Sequence, residues 1–348
     1  MTTVSAYAAQ SPTEKLKPFT IDRRDVTAQD VQIAIEYCGV CHSDIHMARN
    51  EWGFATFPVV PGHEIVGRVT KVGANVTVHK VGDLVGVGCM VDSCRHCNSC
   101  HEGLEQYCDN KVMTYSSLDP KYNTMTYGGY SQQVVVDQAF VLRIPGNLDA
   151  KAVAPLLCAG ITTWSPLRHW KVKAGDLVGV IGLGGLGHMG VKFAHAIGAK
   201  VVMITRSVAK GEDAKALGAD EVLLSNDAAA MQKYANQFDF LLNTIPTRHD
   251  ANPYVNLLKR DATMVMVGAI EPVEPVNCGP LVFGRKSIAG SLIGGIAETQ
   301  EMLDFCSKHQ IVSDIEVINI QDINHAYERM IKGDVKYRFV IDMKSLSQ

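Results

Sequence analysis

Apolar and polar positions change their period along the chain. Val31, Ile33, Ile35 and Tyr37 alternate with Gln32, Ala34 and Glu36, the period-two pattern of a half-buried strand. Glycines at 62, 67, 73, 82, 86 and 88 then punctuate valine-rich runs such as Val66–Val72. Short strands with closely spaced turn signals predict a β-rich, barrel-like unit up to about residue 150. From about Ala174 the pattern becomes strand, helix, strand: Leu177–Ile181, a helix over Leu186–Ile197, Val201–Ile204, a helix over Val208–Leu217, then strands at Glu221–Leu224, Phe238–Leu242 and Ala262–Val267. Such alternation predicts a parallel sheet with right-handed crossovers.

After Gly294-Gly295 the pattern predicts helices from about Glu298 to Lys308 and Ile323 to Lys332 and a strand over Tyr337–Ile341, without another strand-helix repeat. No internal repeat, low-complexity tract or long linker interrupts the chain. At ~100–200 residues per domain, 348 residues suggest two domains. The net charge of −3 supplies no basic excess for nucleic acid or an anionic membrane, and the expected partner is a small molecule. Met1–Gln10 has neither a basic nor an apolar leader segment, and no run reaches the roughly 18 apolar residues of a membrane span, so a cytoplasmic protein is expected. Ten cysteines are too sparse for a disulfide scaffold at this length, which directs attention to metal binding.

Gly182-Leu183-Gly184-Gly185-Leu186-Gly187 is a G-x-G-x-x-G between a predicted strand and a predicted helix. In that context Gly182 allows the tight turn, Gly184 lets a pyrophosphate approach the backbone, and Gly187 permits close helix–strand packing, with the helix N-terminus facing the phosphates. A glycine-rich turn without a ligand is the alternative. Where an NAD site places an acidic residue, this chain has Thr205, Arg206 and Ser207, with Lys210 one turn on. Two hydroxyls and two cations suit a 2′-phosphate, which predicts NADP(H); a solvated charge cluster at a helix start is the plainer alternative.

Cys94-x-x-Cys97-x-x-Cys100-x₇-Cys108 brings four soft ligands together as a closed structural zinc site requires. Buried free thiols and a nucleic-acid zinc module are the alternatives; Asp92, Glu102, Glu105 and Asp109 flank the cluster and no basic stripe accompanies it. A dispersed second set comprises Cys41, His63, Glu64 and Cys158. Two cysteines and a histidine form a three-ligand set that leaves a zinc position open for catalysis. Cys38, Cys89, Cys278 and Cys306 are left over.

Cys38-Gly39-Val40-Cys41-His42-Ser43-Asp44-Ile45-His46, Gly62-His63-Glu64-Ile65-Val66-Gly67 with Gly73 and Val76, Gly182–Gly187 and Tyr337-Arg338-Phe339-Val340 occur in one order along the chain. Together they resemble the zinc-dependent medium-chain alcohol dehydrogenases, specifically the cinnamyl-alcohol-dehydrogenase-like branch with its bacterial broad-range NADP-dependent aldehyde reductases. The resemblance implies an α/β chain: a GroES-like β-rich catalytic domain over 1–153 and 297–348, carrying a structural zinc lobe at about 89–112, and a Rossmann NADP-binding domain over 154–296. It places the active site in the cleft between them, with two zinc ions per chain. Cys41, His63 and Cys158 would hold the catalytic zinc, and Glu64 would coordinate it in alternative states.

The resemblance further implies that Asp44 fixes the His63 ring; a helix-capping aspartate is the alternative reading of that residue. Ser43 would bond the substrate oxygen and pass its proton toward His46 through the cofactor ribose. Arg338 would reach the pyrophosphate, and Thr162 would lie near the nicotinamide. Trp52, Cys89, Met113 and Ile293 would line an apolar substrate pocket suited to aromatic or medium aliphatic aldehydes. Ser287–Ser291 would be an edge strand that pairs across the two-fold axis of a homodimer. A zinc-free quinone or enone reductase on the same fold and a non-enzymatic NADP-binding protein are the competing classes, and neither needs the dispersed metal set.

Overall fold

The computed structural model describes residues 1–268 and 271–347. The chain forms two compact units: residues 1–158 together with those from 294 onward, and residues 159–293.

In the first unit the strand Asp30–Gly39 buries Val31, Ile33 and Ile35 and leaves Gln32, Ala34 and Glu36 half-buried, as its alternation dictates. It is the centre of a seven-stranded sheet. On one side lie Ile65–Val72, Leu84–Val87 and Leu142–Arg143; on the other, Arg338–Asp342 and Ile315–Asn319; Gln133–Asp137 also pairs with it. Gly67 allows Ile65–Val72 to approach, because a Cβ there would stand 2.1 Å from the Ala34 carbonyl. A separate hairpin, Thr2–Ala8 with Lys17–Arg23, closes over the sheet's start through Tyr7 N–H to Tyr130 O and Ala9 N–H to Val59 O.

The tail corrects one expectation. It does contain another strand-helix-strand unit: Ile315–Asn319 runs parallel to Arg338–Asp342, with the helix Ile323–Ile331 between them. The first of these strands is short and half exposed, and its Glu316 faces Arg329 of the following helix, so its apolar pattern is too weak to show in sequence. The last strand lies antiparallel to Asp30–Gly39, pairing Val340 with Gly39, and this register brings Arg338 beside the segment leading to Cys41.

The second unit is a six-stranded parallel sheet in the order Glu221–Leu224, Lys200–Thr205, Leu177–Ile181, Phe238–Asn243, Leu258–Met266, Ser287–Gly290. Strand order reverses next to Leu177–Ile181, which creates the switch point where such sheets take their ligands. Leu258–Met266 starts earlier than its apolar run because Lys259, Arg260 and Asp261 are exposed. The helix Gly187–Ile197 begins directly after the glycine turn and stops at Gly198, whose φ of 91° supplies a left-handed cap. Gly182 has φ +90°, and a Cβ on Gly187 would lie 1.9 Å from the Gly182 carbonyl oxygen.

Gly187→Ala is therefore expected to cost roughly 1–3 kcal/mol, read as a lower Tm. Gly184, whose Cβ would meet nothing within 4 Å, should accept alanine without loss of Tm while NADPH affinity in a fluorescence titration falls. An unchanged Tm for Gly187→Ala, or unchanged NADPH affinity for Gly184→Ala, would contradict these roles.

Candidate metal centre and cofactor turn

Cys41 is the N-cap of the helix His42–Ala48, and Asp44 Oδ2 accepts its backbone N–H at 2.9 Å. The other carboxylate oxygen of Asp44 accepts Gly62 N–H at 3.1 Å and His63 Nδ1 at 3.1 Å. Capping and histidine orientation, alternatives in the sequence, are thus performed by the two oxygens of one fully buried carboxylate. With Nδ1 bonded to Asp44, Nε2 is the ring nitrogen left to ligate.

Cys158 follows the turn Ala154–Leu157, and one donor atom from each of Cys41, His63, Glu64 and Cys158 lies within 4.8 Å of the others. Glu64 is fully buried; its Oε1 pairs with Arg338, while Oε2 has no hydrogen-bond partner. Gly39 makes room for it, since a Cβ there would stand 1.9 Å from Oε2. Burial pushes the Glu64 carboxyl up to about 7 despite Arg338. The Cys158 thiol, with His63 and Arg338, holds Cys41 well below the usual thiol range. Two sulfurs, an imidazole nitrogen and an orphaned carboxylate oxygen fit a zinc ion with an open or exchangeable fourth position.

The second cluster is closed. Cys94, Cys97, Cys100 and Cys108 also place their sulfurs within 4.8 Å of one another, with Cys94–Cys100 at 3.9 Å and Cys97–Cys100 at 3.6 Å. A Zn–S bond of ~2.3 Å in a tetrahedron implies sulfurs ~3.8 Å apart. Backbone N–H groups of Cys97 and Cys94 point to Cys94 Sγ (3.3 Å) and Cys108 Sγ (3.5 Å). Glu105, inside this lobe, accepts Ile296 N–H at 3.1 Å and so ties the lobe to the start of the helix Ile296–His309.

Ser43 Oγ lies 3.7 Å from Cys41 Sγ. His46 pairs through Nδ1 with Glu51, and its ring stacks on Trp52 at 5.2 Å; Trp52 in turn stacks on Phe54 at 5.8 Å. The role of Glu51 is not announced in the sequence because it lies five residues on, beyond the helix end, and is returned by the turn in which its N–H bonds His46 O. Cys89 is buried against Leu157 O, and Met113 pairs with Met90. Thr162 is buried in the helix Ala159–His169 of the second unit, which also contains Ile293, at φ 34°.

Arg338 is buried, donating to Val40 O at 2.8 and 3.2 Å as well as to Glu64. Its observed partners are thus the catalytic-unit backbone and a carboxylate. At the glycine turn, Thr244 Oγ1 donates to both Ile181 O and Gly182 O at 2.9 Å, a lock the sequence does not announce. Ser207 Oγ caps the helix Val208–Ala216 by accepting Lys210 N–H at 3.4 Å, and Thr205 Oγ1 accepts Ser207 N–H at 3.2 Å. Arg206 and Lys210 are exposed beside these hydroxyls, and no carboxylate stands among them.

A β-rich unit with an open and a closed metal site, and a parallel sheet with a dinucleotide turn, define a zinc-binding, nucleotide-linked dehydrogenase. Residues 27–146 match the alcohol dehydrogenase GroES-like domain and residues 185–308 the zinc-binding dehydrogenase domain. The chain is 56% identical over 346 residues to the aldehyde reductase YahK of Escherichia coli (strain K12), covering 99% of this chain and 98% of that one. A cinnamyl alcohol dehydrogenase of Sorghum bicolor superposes with a TM-score of 0.95 at 45% identity, covering 99% and 98% of the two chains. The Helicobacter pylori CAD complexed with NADP(H) gives 0.92 at 42% identity, covering 98% of each. The chain belongs to the zinc-binding alcohol dehydrogenase family.

Cys158→Ser should reduce the zinc content from two ions to one and abolish turnover, with fold and NADPH binding retained. Cys100→Ser should chiefly lower Tm, because it opens the closed site. Near-normal kcat in Cys158→Ser, or one zinc in the unaltered protein, would contradict the assignment.

Proposed function

We propose that the chain interconverts aldehydes and primary alcohols by hydride transfer, aldehyde + NADPH + H⁺ ⇌ alcohol + NADP⁺, with aromatic or medium aliphatic aldehydes as substrates. The open donor set Cys41, His63 and Cys158 carries this reading. Zinc held there supplies the Lewis acidity that polarises a carbonyl. Ser43, adjacent to Cys41, is placed to bond the reacting oxygen and exchange its proton. His46 is the next proton carrier; Glu51 fixes its Nδ1 and Trp52 its ring, which leaves Nε2 for the exchange. Glu64 is the exchangeable fourth ligand, and Arg338 holds it while it is disengaged. The Escherichia coli aldehyde reductase and the NADP(H) complex of the Helicobacter pylori CAD support both the reaction and the cofactor.

For the nucleotide, the glycine turn and the N-terminus of Gly187–Ile197 would take the pyrophosphate, and Thr205, Arg206, Ser207 and Lys210 the 2′-phosphate. The aromatic stack of Trp52 and Phe54, with Cys89 and Met113 from the same unit, favours apolar substrates. Ten cysteines without a disulfide between them suit a reducing cytoplasm.

The assembly we propose is a homodimer. Ser287–Gly290 is the unpaired edge of the six-stranded sheet, and the helix before it, Cys278–Gly284, leaves Phe283 94% exposed. Such an edge beside an apolar side chain is ordinarily covered by a second copy.

kcat/KM with NADPH should exceed that with NADH by roughly tenfold to hundredfold, the worth of one charge-assisted hydrogen bond at ~1.5–3 kcal/mol. A panel of aldehydes under NADPH should favour aromatic and medium-chain members, and equal or better use of NADH would sink the cofactor assignment. Light scattering should give a dimer that Phe283→Asp dissociates; a monomeric unaltered chain would refute the assembly.

A further inference from the structure

Asp44 is fully buried, and among the described residues no lysine or arginine stands at ion-pair distance from it. Its charge is met by hydrogen-bond donors: the N–H groups of Cys41 and Gly62, His63 Nδ1, and the hydroxyl of Tyr130 at 3.4 Å from Oδ2, with the Tyr115 phenol also facing it. The first three belong to metal-ligand residues or their immediate neighbour. Tyr130 arrives from elsewhere in the chain, and the backbone around it is fastened to the same place. Gly128 N–H bonds Val60 O at 2.8 Å, Gly129 N–H bonds Gly62 O at 2.8 Å, and Tyr130 N–H bonds Pro61 O at 3.0 Å, so this segment is paired with the residues that lead directly into His63.

Gly62 makes the approach possible. It has φ +104°, and a Cβ there would stand 2.8 Å from both the Tyr130 ring and Cys38 Sγ. Tyr130 is itself fully buried, and burial together with the Asp44 charge keeps its phenol well above the usual range, so it stays a donor across the working pH.

We propose that Tyr130 is a positioning residue for the catalytic metal: its hydroxyl holds Asp44 Oδ2, which keeps Oδ1 on His63 Nδ1 and so fixes the ring that ligates through Nε2. Without that hydroxyl, the carboxylate loses the donor that the Gly128–Tyr130 segment brings to it, is freer to turn, and holds the histidine less firmly. This inference rests on the metal reading of Cys41, His63 and Cys158. Changing a direct partner of a ligand costs ~10–100-fold in affinity or activity, and one bond further out the effect should be smaller, about threefold to tenfold.

The test follows zinc release from the holoenzyme to a chelator, together with the visible absorption of the cobalt-substituted enzyme. In Tyr130→Phe one zinc should leave about threefold to tenfold faster while the Cys₄ zinc leaves at the unaltered rate, and the cobalt bands of the catalytic site should shift. Tyr254→Phe is the control. Tyr254 is also buried but belongs to the second unit, so loss of its hydroxyl should change neither readout. In an Asp44→Asn background Tyr130→Phe should add nothing further, because its effect passes through that carboxylate. Zinc release and cobalt bands in Tyr130→Phe that match the unaltered enzyme, or that Tyr254→Phe reproduces, would overturn the proposal. An unaltered protein holding only the Cys₄ zinc would remove the metal reading as well, and the initial zinc count separates that failure from the other two.

Discussion

The catalytic unit is organised around two carboxylates, Asp44 and Glu64, that are both cut off from solvent beside the same thiolates and imidazole. Taking an ion of that size out of water costs several kcal/mol even after relaxation, so each must be answered by donors fixed in place. Asp44 is answered by N–H groups, including that of the histidine it orients. Glu64 has a cation on one oxygen and, among the described residues, no hydrogen bond on the other, which stands with the candidate ligand atoms of Cys41, His63 and Cys158. Removing one side of a buried pair such as Arg338–Glu64 costs on the order of 3–5 kcal/mol, which makes the C-terminal strand as necessary to the site as the motif that carries Glu64.

That requirement gives the chain order a physical reason. Arg338 reaches Glu64 because Arg338–Asp342 lies beside Asp30–Gly39, the strand that runs into Cys41. The unit with the candidate metal site is therefore completed by residues that precede and follow the parallel-sheet unit in sequence. The Cys₄ lobe has a different task. Its sulfurs are closed on themselves, and Glu105 within it anchors the helix by which the chain re-enters the first unit.

Periodicity made most of the parallel sheet visible, because its strands are continuous buried runs and its glycine turn has a fixed spacing. It failed where polar residues begin a strand, as at Lys259, Arg260 and Asp261, and where a strand is brief and half exposed, as at Ile315–Asn319. The Cys₄ set was readable because its ligands are close in sequence. The dispersed ligands Cys41, His63 and Cys158 could be grouped by donor type and family resemblance but not by spacing, since nothing local announces that distant residues will meet. Glu51 on His46, Thr244 on the glycine turn and Tyr130 on Asp44 were out of reach for the same reason. Arg338 has a partner that its motif position does not announce: the three-dimensional register sets it against the buried carboxylate of Glu64.

The chemistry proposed for this chain stands or falls with an open zinc site among Cys41, His63 and Cys158. The most direct test is an anomalous-scattering map recorded at the zinc edge from crystals of the protein purified without added metal. Two peaks per chain are expected, one within bonding distance of those three residues and one amid Cys94, Cys97, Cys100 and Cys108. A peak at the Cys₄ lobe alone, in a preparation that reduces aldehydes with NADPH, would contradict it.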